Sequence, residues 1–206
     1  MNEGFGEPIR LSSQLGSDMV ASRPAVLDDE SDDALMVRVA LRDGAAFGTL
    51  IDAYAARPHR IACRMLGDPA EAEDIAQETM LRLWNGAEKW QAGGPGVSAW
   101  LARVATNLCL DRLRRRKFAS DEAVPERADE RAGADEMIDE TAQRARTIAA
   151  VQALPDRQRA AIILTYYEDH SNIMAAQILD MNIKGFESLL LRARRALRGR
   201  LGGERS

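Results

Sequence analysis

Aromatic residues are scarce in this chain. They make up 5% of its 206 residues, so aliphatic side chains and alanine must build most of the core. Such a core suits packed helices better than β-sandwiches or β-barrels, in which aromatic and β-branched residues are enriched. Segments rich in alanine, leucine, arginine and glutamate favour the same class. The sequence therefore predicts an all-α fold.

Cysteine and histidine are also scarce, with two of each. Cys63 and Cys109 lie in apolar helical patterns and form no CxxC pair, which indicates two buried, reduced thiols rather than a zinc site or a disulfide. His59 and His170 belong to no ExxH pattern of the kind that helical metal sites use. We therefore expect neither a metal ion nor another cofactor.

Long apolar runs are absent, since no segment approaches the roughly 20 residues that a membrane-spanning helix needs. The first thirty residues carry acidic side chains and lack a compact apolar segment, which argues against a signal peptide. Residues 1–31 mix glycine, proline, serine and acids without periodicity, and we interpret them as a disordered tail. These features predict a cytoplasmic protein.

The net charge of −4 hides a segregation of charge along the chain. Residues 97–117 contain six basic residues and one acidic residue, and residues 184–206 contain seven basic and two acidic residues. The acidic residues lie mostly before Ala34 and between Asp121 and Glu140. Two basic segments separated by acidic ones predict two contacts with a polyanion.

Residues 32–117 show helical periodicity and are predicted to form a first small helical domain. Asp32 and Asp33 offer N-cap oxygens to its first helix, and Gly44 is expected to end that helix. A glycine-rich loop at 91–96 precedes the last helix of the domain.

An acidic helix within this domain is predicted to begin at Asp68-Pro69, an N-cap followed by proline at the first helical position, and to run to about Trp84. We expect it to bury Ile75, Met80, Leu81 and Trp84. Glu71, Asp74 and Glu78 share one of its faces. Three interpretations stay open for that face: a docking surface for a basic protein, a carboxylate metal site completed by other helices, or a solvated surface.

The helix predicted from Ser98, its cap, to Lys117 carries Trp100, Asn107 and a terminal basic run. Exposed aromatic, amide and arginine side chains suit DNA whose bases have left the stack. The alternative is that Trp100 belongs to the core and the arginines face water.

Residues 118–140 are polar and acidic and predict a linker. A second small helical domain is predicted over residues 141–201. On its first helix, Ile148, Val151 and Leu154 form an apolar stripe.

The end of the second domain has the spacing of a helix-turn-helix: a helix at 172–179, a turn at Asp180–Asn182 and a helix at 183–201. Small residues such as Ala175 allow the two helices to approach closely. The outer face of the second helix carries Lys184, Glu187, Ser188, Arg192 and Arg195. A helix fits the DNA major groove, where early side chains reach bases and later arginines reach phosphates. The alternative is a solvated basic helix in a bundle.

Three motifs occur in an order that is typical of one family. They are the acidic helix Glu71–Glu78 (EAEDIAQE), the helix Ser98–Lys117 (SAWLARVATNLCLDRLRRRK), and the segment Leu154–Leu197, which runs from LPDRQRA through the helix-turn-helix. Over about residues 33–201 the chain resembles the extracytoplasmic-function (ECF) sigma factors of the sigma-70 family. The resemblance implies a region 2 bundle and a region 4 helix-turn-helix, joined by the acidic linker.

The resemblance also implies the function, that of a non-enzymatic factor with no small-molecule substrate. It would bind core RNA polymerase and promoter DNA, and an anti-sigma factor is a further expected partner. The residues matching the polymerase-binding motif are Asp74, Gln77 and Glu78. The −10 element would contact the loop at 89–97 and the helix residues Arg103, Asn107, Asp111, Arg112 and Arg115. The −35 element would contact Lys184, Glu187, Ser188, Arg192 and Arg195. A stand-alone helix-turn-helix regulator is the alternative.

The chain departs from the family pattern within the helix-turn-helix. An acidic residue usually follows the position of Asn172, where this chain has Ile173 and Met174, and His170 and Lys184 occupy positions where glycine is common. Ile173 and Met174 are interpreted either as a partner surface or as extra core contacts.

Overall fold

The computed structural model describes residues 30–121 and 138–201, and all regular secondary structure in these two stretches is helical. The all-α prediction is therefore confirmed. The predicted tail up to residue 29 and residues 122–137 of the predicted linker lie outside the described residues. The helices are α1 (Asp32–Ala40), α2 (Gly44–Tyr54), α3 (Ala56–Leu66), α4 (Pro69–Gly86), α5 (Gly96–Asp121), α6 (Ile138–Gln152), α7 (Asp156–Ile162), α8 (Asn172–Ile178) and α9 (Ile183–Leu201). A 3₁₀ turn (Ala87–Lys89) follows α4, and a π-helical turn (Ile163–Tyr167) follows α7.

The start of α1 differs from the prediction. Ser31 is the N-cap, because its hydroxyl accepts a hydrogen bond from the Ala34 N–H at 3.3 Å. Asp32 and Asp33 instead lie in the first turn, where their negative charge interacts favourably with the helix dipole. Their carboxylates bond outside α1, that of Asp32 to the hydroxyl of Tyr54 at 2.5 Å.

The prediction that Gly44 ends the first helix is wrong, since Gly44 begins α2. The reversal happens earlier, at Arg42, which has a φ of +65°. Asp43 then caps α2, and its Oδ1 accepts the N–H groups of Ala45 and Ala46. A capping aspartate directly before the glycine is therefore the signal that decides this boundary.

The start of α4 confirms the prediction. Asp68 Oδ1 accepts the N–H groups of Ala70 and Glu71 at 2.9 and 3.1 Å, and Pro69 occupies the first helical position. The preceding Gly67 closes α3 in the left-handed conformation, with a φ of +71°. Glycine adopts this conformation at no steric cost.

Within the described residues, the first of two apolar cores lies among α1, α2, α4 and the start of α5. Its buried members include Met36, Val39, Leu50, Leu83, Val97 and Leu101. Ile75 and Met80 of α4 are buried as predicted, although Ile75 belongs to the second core. The prediction for Leu81 is wrong, because this side chain is 53% exposed. Trp84 is half-buried, with its ring centroid 4.9 Å from that of Phe47.

Helix α5 is longer at both ends than the predicted helix. It begins at Gly96, which has a φ of +83°, so Ser98 lies inside the first turn and is not the cap. The Ser98 hydroxyl instead accepts a hydrogen bond from Arg57 of α3 at 2.6 Å. The end of α5 at Asp121 and the start of α6 at Ile138 make both flanks of the predicted linker helical.

In the second half of the chain, Val151 and Leu154 are buried as predicted, but Ile148 is 53% exposed. Ala150 and Thr147 occupy the buried face of α6 instead. Small side chains at these two positions allow α6 to lie close to its neighbours, but they add little to the apolar pattern that marks a buried face in the sequence.

The second core runs continuously from α3, α4 and α5 into α6–α9. Buried Arg159 of α7 ties the two halves together, since it donates hydrogen bonds to the carbonyls of Met65 on α3 and of Gln152 and Leu154. Gln152 in turn donates to the Arg64 carbonyl at 2.5 Å. The halves therefore meet in a packed junction and not only through the intervening chain.

Candidate functional site

The acidic face of α4 is open to solvent. Asp74, Gln77 and Glu78 are all exposed and lie within one helical turn and a half. Gln77 donates to Glu73 at 3.0 Å, and Arg82 donates to Glu78 at 2.8 Å. These are contacts within the helix, so they leave the face available to a partner protein.

Glu71, on the same helix, has a different environment. It is half-buried and pairs with Arg116 and Arg112 of α5, at 2.6 and 3.7 Å. Its charge is therefore balanced inside the fold, while Asp74 and Glu78 face water, so the three carboxylates do not converge on one point. Within residues 30–121 and 138–201, no group of three or more His, Cys, Asp or Glu side chains is arranged to hold a metal ion.

The candidate residues of α5 divide into exposed and paired side chains. The exposed ones are Arg103, Asn107 and Arg115. Asp111 pairs with Arg114 at 2.8 Å, and Arg112 pairs with Glu71. Trp100 is half-buried and packs against the first core, which agrees in part with the core interpretation of this residue.

The loop before α5 lies beside the start of α1. The indole N–H of Trp90 donates to Asp33 Oδ1 at 2.8 Å, and the Gly93 N–H donates to Asp33 Oδ2 at 3.0 Å. Gln91 to Pro95 are exposed. The loop is therefore anchored on one side and open to solvent on the other.

The helix-turn-helix prediction is confirmed in its local geometry. Ser171 caps α8 through the Met174 N–H at 3.2 Å, and Asp180 turns the chain with a φ of +53°. The Asn182 Oδ1 accepts the Gly185 N–H at 2.8 Å and so caps α9. A Cβ at position 185 would come within 3.2 Å of that oxygen, which explains why glycine fits there.

The outer face of α9 is fully accessible. All five of its candidate residues are exposed: Lys184, Glu187, Ser188, Arg192 and Arg195. The opposite face buries Phe186, Leu189, Leu190, Ala193 and Leu197 in the second core. Of the unusual residues, Met174 packs partly against the core, whereas Ile173 is 64% exposed and adds no core contact.

A groove separates α5 from the helix-turn-helix where the two halves of the chain meet. It is lined from one side by Pro95, Ala99, Trp100 and Arg103, and from the other by Met174, Gln177, Ile178, Asp180, Met181 and Asn182. Helix α8 therefore lies next to the start of α5, beside the candidate −10 residue Arg103.

A buried carboxylate lies at the same junction. The Glu168 side chain is fully buried, 3.3 Å from Arg60, 3.6 Å from Arg57 and 3.7 Å from Arg64, all on α3. Burial raises the pKa of Glu168, and the three arginines only partly offset this effect. Glu168 Oε1 has no hydrogen-bond partner, so the charge is incompletely compensated.

The two thiols are free but differ in environment. Cys109 is buried, and burial raises its pKa to about 12. Cys63 is only half-buried, with its Sγ 3.6 Å from His59 Nε2. The prediction of two buried thiols therefore holds for Cys109 and is wrong for Cys63.

Two family models match the chain in the order that the motifs predict. The model for sigma-70 region 2 matches residues 50–119, and the model for sigma-70 region 4 matches residues 144–197. The ECF RNA polymerase sigma factor SigW of Bacillus subtilis is 32% identical over 172 residues, which cover 77% of this chain and 90% of SigW. The chain belongs to the ECF sigma factors. It thus acts as an alternative sigma factor in transcription initiation.

Other relatives of this ECF sigma factor agree. The sigma factor SigK of Mycobacterium sp. (strain KMS) is 31% identical over 180 residues, covering 82% of this chain and 90% of SigK. Among solved structures, CnrH in complex with the cytosolic domain of CnrY has a TM-score of 0.64 at 24% identity, covering 84% of this chain and 98% of CnrH. The sigma factor RpoE of Bartonella quintana, bound to the anti-sigma factor NepR, has a TM-score of 0.60 at 23% identity, covering 77% and 98%. These two structures support the fold.

Three residues of this sigma factor with pronounced contacts were not found by sequence reasoning: Asp33, Arg159 and Glu168. The position of Asp33 predicts only a helix cap. Arg159 and Glu168 flank the apolar segment at 160–167, and their charge predicts exposure rather than burial. In the described residues, no helix combines the length and apolarity that crossing a membrane requires.

Proposed function

We propose that this ECF sigma factor docks on core RNA polymerase through Asp74, Gln77 and Glu78, and that its two basic helices read one promoter. The observation that carries the proposal is the exposed acidic face of α4, because an anionic surface attracts a basic protein and repels DNA. Three side chains on one face, two of them carboxylates, suit a basic protein surface. Neighbouring Glu71, which forms ion pairs with Arg112 and Arg116, takes no part.

The −10 element is assigned to the loop at 89–97 and to the exposed side chains of α5. Taking a base out of the stack costs a few kcal/mol, and a pocket that holds the flipped base offsets that cost. Exposed Arg103 and Asn107 lie one helical turn apart and suit such contacts. Asp111 pairs with Arg114 and can orient that side chain toward DNA. Arg112, which also pairs with Glu71, and exposed Arg115 are further proposed contacts to the −10 element.

The −35 element is assigned to α9. Lys184, Glu187 and Ser188 lie in its first two turns, the part of a recognition helix that reaches base edges. Arg192 and Arg195 follow one and two turns later, where arginines reach phosphates. Their exposure leaves the whole face free to enter a major groove.

Further parts of the proposal rest on the family. The factor works without catalysis and in the cytoplasm, where polymerase and chromosome meet. RpoE of Bartonella quintana forms a complex with the anti-sigma factor NepR. We assign an anti-sigma partner of its own to this chain.

The test is co-purification with bacterial core RNA polymerase. The wild-type chain and the variant Asp74→Ala/Glu78→Ala are each mixed with core enzyme and separated by size. We expect stoichiometric binding of the wild type and a reduction of roughly tenfold or more for the variant, since charged interface contacts often contribute over 1 kcal/mol. Asp52→Ala, a neutralised exposed carboxylate on α2, is the matched control and should bind like the wild type.

Two results would contradict the proposal. A wild-type chain that ignores core enzyme but binds duplex DNA would be a stand-alone regulator. Equal binding of all three proteins would place the polymerase contact away from α4.

A further inference from the structure

The loop between the 3₁₀ turn and α5 has a defined shape. Gly93 and Gly96 both adopt left-handed conformations, with φ of +77° and +83°. Trp90 begins the loop, and its side chain packs partly against the first core. The residues between Trp90 and Gly96 are exposed, so packing alone does not fix them.

Asp33 fixes this loop from the neighbouring helix. One carboxylate oxygen accepts the Trp90 indole N–H at 2.8 Å, and the other accepts the Gly93 backbone N–H at 3.0 Å. These two bonds lower the pKa of Asp33, so the group is ionised at neutral pH. One carboxylate therefore ties a side chain at the start of the loop to a backbone N–H at its tip.

The adjacent Asp32 shows that this is not a general property of the first turn of α1. Both residues lie at the N-terminus of the helix and both favour its dipole. Asp32, however, accepts its hydrogen bond from the hydroxyl of Tyr54 on α2 rather than from the loop. The two neighbours thus carry the same type of side chain in the same helical turn, but they bond to different partners.

We infer that Asp33 is a positioning residue for promoter opening, because it holds the loop at 90–96 in the shape that receives the unstacked −10 base. The inference rests on the proposed function of that loop. Ordering a loop on binding costs free energy, which reduces the affinity. A loop that already has the bound shape avoids this cost. Asp33 itself need not contact DNA.

The test compares Asp33→Asn with Asp32→Asn in the complete holoenzyme. Asparagine offers one acceptor oxygen, and its amide group faces one of the two N–H donors, so at least one bond to the loop is lost. Asp32→Asn removes the same charge, yet its remaining oxygen still accepts from Tyr54. The probe is a single-stranded oligonucleotide that the wild-type holoenzyme enriches from a random-sequence pool.

We expect Asp33→Asn to weaken binding of this probe roughly tenfold, the effect of losing one hydrogen bond to a charged group. The two variants should bind core enzyme and duplex DNA equally well. General unfolding of Asp33→Asn would weaken these interactions too, so a loss confined to the probe indicates a local effect. Hydrogen exchange at Gly93 should accelerate in Asp33→Asn alone. Trp90→Phe, which keeps an aromatic ring but removes the N–H donor, should also weaken binding of the probe. The double variant should lose less affinity than the sum of the two single losses.

The outcomes separate the inference from the function on which it rests. If the wild-type holoenzyme enriches no single-stranded sequence, the proposed function of the loop is wrong. If the wild type enriches a sequence but Asp33→Asn binds it as tightly as Asp32→Asn does, the loop function stands and the role of Asp33 is refuted. Fully additive losses in the double variant would also refute it, because Asp33 and Trp90 would then act separately.

Discussion

Helices α5 and α9 carry similar basic charge but are held in different ways. On α9 all the candidate DNA-binding residues face solvent, and none of them is needed for packing. On α5, Arg112 and Arg116 pair with Glu71, Lys117 pairs with Asp156 of α7 at 2.6 Å, and the start of the helix faces α8. The number of basic residues in a segment therefore overstates the positive charge available to DNA when some of them pair with carboxylates of the protein.

The difference also bears on how the two helices work together. The −10 and −35 elements are about two helical turns apart, roughly 70 Å, since one turn of B-DNA spans 34–36 Å. In the structure α8 packs beside α5. On the proposed assignments, α5 and α9 contact elements that far apart, which requires the two halves of the chain to separate. The account therefore predicts that the junction around Arg159 and Glu168 opens when the factor engages its promoter.

The largest effect is expected from Arg159→Met, which breaks the junction. The buried guanidinium satisfies three carbonyls, and its loss leaves them without a partner at a cost of about 3 kcal/mol. Chemical denaturation should show the lost stability, and small-angle scattering should show a larger radius of gyration. Arg144→Met, on an exposed position of α6, is the control. An unchanged radius in Arg159→Met would show that the halves stay together without this residue.

A smaller effect should distinguish the two basic helices directly. Arg195 is exposed. Its replacement by alanine, Arg195→Ala, should reduce the slope of log binding constant against log salt concentration by about one, as expected for one lost phosphate contact. Arg116→Ala should leave that slope unchanged and instead cost about 1 kcal/mol of stability, because half-buried Glu71 loses its nearest partner. Affinity measured on nonspecific duplex DNA over a salt series is the assay. Equal slope changes for the two variants would remove the distinction between the helices.

The smallest effect concerns Glu168. Its raised pKa means that the folded protein holds the proton more tightly than the unfolded chain does, so its contribution to stability falls as pH rises from 4.5 through the raised pKa. Because burial disfavours the ionised form of Glu168 more than the three arginines favour it, Glu168→Gln should be slightly more stable than the wild type at neutral pH, by less than about 1 kcal/mol. Arg57, Arg60 and Arg64 face it from α3.

Burial lowers the pKa of neighbouring His170, so its contribution to stability rises with pH, opposite to that of Glu168. His170 is present in both the wild type and Glu168→Gln. The difference between wild type and Glu168→Gln, measured by thermal unfolding from pH 4 to 8, therefore isolates the carboxylate. A less stable variant at neutral pH would show that the arginines outweigh burial.

Local signals predicted much of this fold. Asp68-Pro69 and Ser171 marked helix starts, and the turn at Asp180–Asn182 marked the helix-turn-helix, because caps and tight turns depend on residues close in sequence. The boundary at Gly44 depends on the cap at Asp43, which the spacing of apolar residues does not reveal.

Long-range contacts were not predictable in this way. Asp33 and Trp90 are 57 residues apart, and Arg60 and Glu168 are 108 apart, so no periodicity links them. Likewise the apolar faces of α3 and α5 indicated burial without showing that the second half of the chain covers them. The roles of individual residues in binding polymerase and promoter stay predictions.

The central claim is that this chain gives core RNA polymerase its choice of promoter. The most direct measurement is reconstituted transcription from a random-sequence promoter library, with core enzyme alone, with the wild-type chain, and with Glu187→Ala/Arg192→Ala. The account predicts that the wild type starts transcription from a restricted set of sequences sharing two elements about two helical turns apart. It also predicts that the variant loses the upstream element. No new start sites with the wild-type chain, despite binding to duplex DNA, would contradict the claim.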